Sequence, residues 1–151
     1  MNAASDAPLS PRQHWAAIAQ GLQQDQMACE ALADLLQQQF HAALRHDAAA
    51  MQTLADAISA QVQAMEGSRL QRVAHAKALL PPTATVSMAA LFSQLGAPLQ
   101  QQFQALWDKL EASVQACKAA NVRNCTLIME QAEVMRSVIA GPEQGVIYAP
   151  L

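Results

Sequence analysis

Apolar residues recur at steps of three and four along three stretches of the chain, the spacing that stacks side chains on one face of a helix. The first stretch reads Trp15, Ile18, Leu22, Cys29, Leu32, Leu36 and Phe40, and lapses only around Asp25 and Gln26. The second reads Met51, Leu54, Ile58, Val62, Met65, Val73, Ala76 and Leu80, with Arg69 where an apolar residue would be expected. The third runs Phe103, Leu106, Leu110, Val114, Cys117, Asn121, Asn124, Ile128, Ala132, Met135 and Ile139, so two amides interrupt an otherwise apolar stripe. Clusters of strand-forming Val, Ile, Tyr and Phe are absent, and no repeat of fixed period suggests a solenoid.

Punctuation between the stretches sets the expected elements. Ser10-Pro11-Arg12-Gln13 is a helix start: a Ser cap, Pro where its missing N–H costs nothing, and Gln reaching back from the third position. Charges cluster at Arg45-His46-Asp47, where Asp47 can cap a second helix after a tight turn. Pro81-Pro82 ends that helix, Ser87 can cap a short one over Met88 to Leu95, Pro98 opens the long C-terminal region, and Gly141-Pro142 closes it. The expectation is an all-α fold: a disordered start over 1–9, then one domain over 10–140. That domain combines a long, coiled-coil-like antiparallel helical hairpin (10–80), a linker (81–86) and C-terminal helices (87–140) in a helical bundle. The tail, 141–151, is expected to be mobile.

Composition sharpens this picture. The 151 residues are 52% hydrophobic, enough for one core, but Ala and Gln dominate and aromatics are only 4%. Long helices with thin, small-residue interfaces suit such a chain better than a thick globular core. A formal charge of -3 and the lack of any basic run argue against nucleic acid or an anionic membrane as partner. No apolar run approaches the ~20 residues that span a bilayer, and a signal-peptide pattern is lacking, so stable membrane insertion is not expected and the cytoplasm is.

Candidate chemistry is sparse. Cys29, Cys117 and Cys125 are odd in number and far from C-x-x-C spacing, so neither zinc nor a disulfide framework is indicated, and Cys29 and Cys117 fall on apolar stripes. His14, His41, His46 and His75 are scattered without a second ligand at metal-site spacing, and Glu130 and Glu133 sit off the stripe on a solvated face. His75-Ala76-Lys77 faintly suggests a histidine phosphotransfer domain, yet Lys77 lies roughly opposite His75 instead of one turn away. Catalysis is not expected, and no cofactor is called for.

Three polar residues on the stripes have two readings each. Asn121 and Asn124 can hydrogen-bond a partner laid along the helix, or serve the protein's own fold as a register-setting internal layer or a break between two helices; chemistry alone favours the internal role. Arg69 can pair with Asp25 across the hairpin, or mark where the stripe meets water; long Arg stems lying on apolar surface favour water.

Asn121-x-x-Asn124-x-x-Leu127-Ile128, preceded by Leu106-Trp107-x-x-Leu110 and followed by a loop with Tyr148, resembles the C-terminal half of the FlgN family of flagellar type III export chaperones. The N-terminal half, with Leu44-Arg45-His46-Asp47 and Glu66-x-x-Arg69, is similar to that family's paired long helices. Cys125 stands where the family usually carries Gly. The resemblance implies a cytoplasmic chaperone without nucleotide or metal. It would mask helical terminal segments of hook-associated proteins, of the FlgK and FlgL kind, prevent early assembly and deliver them to the export gate. It places the client groove on Leu110, Val114, Asn121, Asn124, Leu127, Ile128 and Met135, and export-gate docking on Tyr148. Apolar helical stripes would equally serve a coiled-coil adaptor or a homo-oligomer. Binding to a hook-associated segment separates those readings.

Overall fold

The computed structural model describes residues 7–148, with side chains described through Gly141. Four helices follow one another: α1 Pro11–Leu44, α2 Ala48–Leu79, α3 Met88–Phe92 and α4 Ala97–Tyr148. The described residues form no strand, and the all-α expectation holds. Residues 1–6 of the expected disordered start and 149–151 of the expected mobile tail lie outside the described residues.

Local signals placed most helix ends. The Ser10 hydroxyl accepts the Gln13 N–H at 3.2 Å while the Gln13 side chain accepts the Ser10 N–H at 2.8 Å. This reciprocal cap satisfies two amides that the first turn leaves unpaired. At the hairpin turn, the Asp47 N–H bonds Ala42 C=O and the His46 N–H bonds Ala43 C=O. His46 between them is left-handed at φ 54, the conformation Gly usually supplies at this motif. The Asp47 carboxylate then caps α2 by accepting the Ala50 N–H. After the Pro81-Pro82 break, Ser87 caps α3 through the Ala90 N–H.

The far end of α4 departs from expectation. Gly141-Pro142 does not stop the helix, which runs on to Tyr148. Gly141 has no positive φ, so the left-handed cap that a Gly-Pro pair invites is not formed. Proline's φ is compatible with a helix, but inside one it forgoes a backbone bond and crowds the preceding turn, at a cost of about 3 kcal/mol or more.

Packing centres on α1, which lies against both α2 and α4. The α1–α2 hairpin is antiparallel. By contrast α1 and α4 are parallel and in constant register: Gln26 meets Ser113, Cys29 meets Cys117, Leu36 meets Asn124 and Ala43 meets Gln131, separated by 87, 88, 88 and 88 positions. The core therefore runs along α1 as Ile18, Leu22, Cys29, Leu32 and Leu36, and along α4 as Leu110 and Cys117. Burial of each large apolar side chain contributes about 1.5–3 kcal/mol. α3 closes one end, with Leu91 and Phe92 fully buried and Phe92, Phe103 and Trp15 in successive ring contact at 5.6 and 5.2 Å. At the other end α1 stops at Leu44, level with residue 132 by the same offset. The remaining 16 residues of α4 extend roughly 24 Å past α1, at 1.5 Å per residue.

Cys29 and Cys117 are buried against each other in the α1–α4 seam, where the Cys117 thiol donates to the Cys29 carbonyl at 3.4 Å. Desolvation, then the neighbouring Cys117, pushes the Cys29 thiol up to about 11. Desolvation likewise raises Cys117. Maleimide titration of the native protein near neutral pH should therefore modify Cys125, which is exposed, and spare the other two until denaturant is added. Because the folded Cys29 holds its proton more tightly than the unfolded chain, the stability it contributes is complete below the ordinary thiol pKa of 9.0 and is lost as pH rises toward about 11. Rapid labelling of two or more thiols in the native state would contradict this packing.

Candidate partner-binding groove

Because α2 and α4 each lean on α1 and not on each other, a groove remains between them. Among the described residues no α2 Cα comes within 8 Å of an α4 Cα. The groove has α1 as its floor and a volume of about 790 Å³. Ile58, Val62 and Met65 face it from α2, and Trp107, Val114 and Asn121 from α4. Two antiparallel helices and one parallel one thus occupy three positions of a four-helix arrangement.

Polar groups punctuate this apolar trough at one level. Asp25 of α1, buried where the first stripe lapses, is paired with Arg72 of α2, and both side chains are about one-tenth exposed at 9% and 11%. The Arg72 guanidinium lies 5.3 Å from the ring centre of Trp107 on α4. One cation therefore links all three helices, answering Asp25 with charge and Trp107 with a cation–π contact. Arg69 was the residue that the sequence offered for Asp25; it instead faces water, as the second reading of it held. Its hydrogen bonds to Glu66 at 2.9 and 2.7 Å hold that carboxyl below its usual range. Next to Asp25, Gln26 donates to the Ser113 hydroxyl at 2.8 Å, so the lapse in the first stripe is a polar layer joining α1 to both neighbours.

The residues expected to form a client face divide into three environments. Val114 and Asn121 line the groove, half-buried and exposed respectively, and Leu110 reaches it from the core while only 3% exposed. Asn124 requires correction as a client-facing amide. Its side chain is fully buried, donating to the Leu36 carbonyl at 2.7 Å and to Gln39 Oε1 at 2.9 Å and accepting from Arg123. Arg123 is held in turn 4.1 Å above the Phe40 ring centre. Asn124 thus belongs to the heptad line 110, 117, 124, 131 that faces α1, whereas Asn121 is turned toward the groove; both lie in one continuous helix. Leu127 and Ile128 are half-buried at the level of Gln39 and Phe40.

Met135 lies beyond the end of α1 and is 55% exposed. There the stripe that packs on α1 lower down continues without a neighbour among the described residues: Val134, Val138 and Ile139 are 60%, 66% and 79% exposed. The side chain of Tyr148 is outside the described residues.

Sequence reasoning missed Arg72 and Trp107. Arg72 sits about one turn from Arg69, the residue weighed for Asp25, and only the rotation of α2 about its axis distinguishes them. Among the described residues no three His, Cys, Asp or Glu side chains gather as metal ligands, and no helix is long and apolar enough to cross a membrane. His75, the candidate phosphoryl acceptor, is half-buried and engaged with His14.

A family model described as FlgN protein matches residues 15–141 of the chain. No curated protein and no solved structure matches it.

Proposed function

We infer, for a chain that belongs to the FlgN family, that the groove between α2 and α4 is the seat of a helical segment from a hook-associated flagellar protein. The family supports a flagellar export chaperone role in general. The finer reading assigns where the client lies, and one observation carries it: α2 and α4 share α1 as a floor but leave the space between them to a fourth helix.

A client helix with an apolar stripe would bury Ile58, Val62, Met65, Trp107 and Val114, at about 25 cal/mol per Å² before ordering costs. Asn121, exposed on the wall of the groove, would meet client polar groups. The unpaired end of α4, with Val134, Met135, Val138 and Ile139, extends the same apolar surface past the bundle and lengthens the stretch of client that can be covered. This is binding chemistry, without a catalytic step, and it keeps an assembly-prone segment out of water in the cytoplasm until it reaches the export gate.

Calorimetric titration of the purified protein with the C-terminal helical segment of a hook-associated protein tests the assignment. Saturable binding at a fixed ratio with a negative heat-capacity change is expected. Val62 is 48% exposed, so Val62→Glu should leave the unfolding midpoint almost unchanged and weaken binding by about tenfold or more, the cost of burying an unpaired carboxylate in the trough. Unaltered affinity in Val62→Glu would move the client to another surface. Failure of the wild type to bind, together with a stable homo-oligomer in light scattering, would favour the coiled-coil adaptor.

A further inference from the structure

His14 in the first turn of α1 and His75 near the end of α2 stand 61 positions apart in sequence and meet across the open end of the hairpin. Their Nδ1 atoms are 2.8 Å apart, the ring centroids 5.1 Å, and the ring planes are inclined at 61°. Both side chains are partly exposed, so water and small ions reach them. A bond between two Nδ1 atoms requires one ring to donate there and the other to accept, so one Nδ1 already presents a lone pair to its neighbour and the second does so after a change of tautomer.

That separation has a coordination meaning. Two nitrogens bound at about 2.0–2.1 Å to one ion are about 2.9 Å apart when they subtend a right angle, and about 3.4 Å apart when the angle is tetrahedral. The observed 2.8 Å matches the right-angled case, which belongs to square-planar and octahedral ions. Neutral imidazole suits the metals that adopt those geometries, copper and nickel.

We propose that His14 and His75 form a two-histidine site for Cu²⁺ or Ni²⁺, clipping the start of α1 to the end of α2. A small rotation of each ring turns the two Nδ1 lone pairs from each other onto a common ion. The proton of the donating ring passes through water from its Nδ1 to its own Nε2, so both rings remain neutral and no proton is released. Among the described residues no third His, Cys, Asp or Glu joins the pair, and waters fill the other positions. The clip is selective for the folded chain, because in the unfolded chain the two ligands are separated by the whole hairpin. It acts far from the groove's Val62 and does not depend on what the groove binds.

Nickel titration of the full-length protein, with any affinity tag removed, tests the clip by calorimetry and by thermal unfolding. One ion per chain should bind, and the unfolding midpoint should rise with the logarithm of free Ni²⁺. His14→Ala and His75→Ala should each weaken binding by more than the roughly 10- to 100-fold that loss of an outer-shell partner costs, and should abolish the thermal shift. His14→Asn, which keeps a polar side chain at the turn, should lose nickel binding while its metal-free unfolding stays near that of the wild type. The double variant His41→Ala/His46→Ala should bind as the wild type does. A wild-type midpoint insensitive to nickel, binding that survives His14→Asn, or binding lost only in the His41/His46 variant would overturn the site. Zn²⁺ binding tighter than Cu²⁺ binding would overturn the right-angled geometry.

Discussion

Replacing Arg72 with methionine is expected to lower folding stability by about 3–5 kcal/mol, the cost of leaving a buried carboxylate without its partner. Asp25 is 6% exposed and lies on the apolar stripe of α1. Its negative charge is tolerated there because the Arg72 guanidinium both neutralises it and donates to it. Methionine keeps much of the apolar stem over Trp107 but removes charge, hydrogen bonds and the cation–π contact together. Adding Asp25→Leu should recover most of the loss, since a pair of well-packed apolar residues often equals a buried ion pair in stability. Urea unfolding of the two single variants and the double variant measures this directly. Arg72→Met within about 0.5 kcal/mol of the wild type, the range of an ordinary surface substitution, would mean that the pair is loosely held and water-exposed in solution.

The second large effect belongs to Asn124. Asn124→Ala should cost about 2–4 kcal/mol, the sum of roughly 1 kcal/mol for each of two hydrogen bonds and the cavity left in a closed seam. Asn124→Leu should cost less, because leucine restores the volume, the Leu36 carbonyl keeps its place in the α1 helix, and Gln39 can turn to water. The price is then paid in specificity: Asn124 is the polar residue that fixes which level of α4 meets Leu36, and an apolar replacement relaxes that register. Affinity for client per folded molecule should be unchanged in Asn124→Leu, as the amide does not face the groove. Normal stability with abolished client binding would instead return Asn124 to the binding surface. Together with Val62→Glu, these variants separate the part of α4 that holds the fold from the part available to a partner.

Much of this architecture was legible in residue chemistry with local meaning. The Ser10–Gln13 cap, the Asp47 cap, the Pro81-Pro82 break and the three apolar stripes each act within a few residues, so the hairpin and its linker followed from them. What escaped was rotational and long-range. The reading that set Arg69 at water held, but the partner of Asp25 is Arg72, about one helical turn further on, and no stripe named it. The parallel pairing of α4 with α1 depends on how an eight-residue linker and α3 carry the chain back along the bundle, which no stripe encodes. The contact of His14 with His75 follows only once the hairpin register is known. The Gly141-Pro142 stop failed because Gly permits a left-handed cap without imposing one. For the groove, the sequence supplied its α4 wall through Val114 and Asn121, but a stripe cannot reveal that a neighbouring place is vacant. That vacancy is a property of three helices at once.

The parallel pairing also orders events during synthesis. The contacts Gln26–Ser113, Cys29–Cys117, Leu36–Asn124 and Ala43–Gln131 each span 87 or 88 positions, so the face of α1 that carries Cys29 and Leu36 is complete long before its cover exists. At typical elongation rates the 51 residues between Leu80 and Gln131 take roughly 3–10 s to add. Throughout that interval the nascent hairpin shows an apolar seam to its surroundings. The closing step is then a docking of α4 along the whole length of a preformed hairpin, with Trp15 meeting Phe103 at one end and Ala43 meeting Gln131 at the other. A chain of a flagellar export chaperone family therefore begins each synthesis with a helix face of its own left uncovered until its last helix arrives.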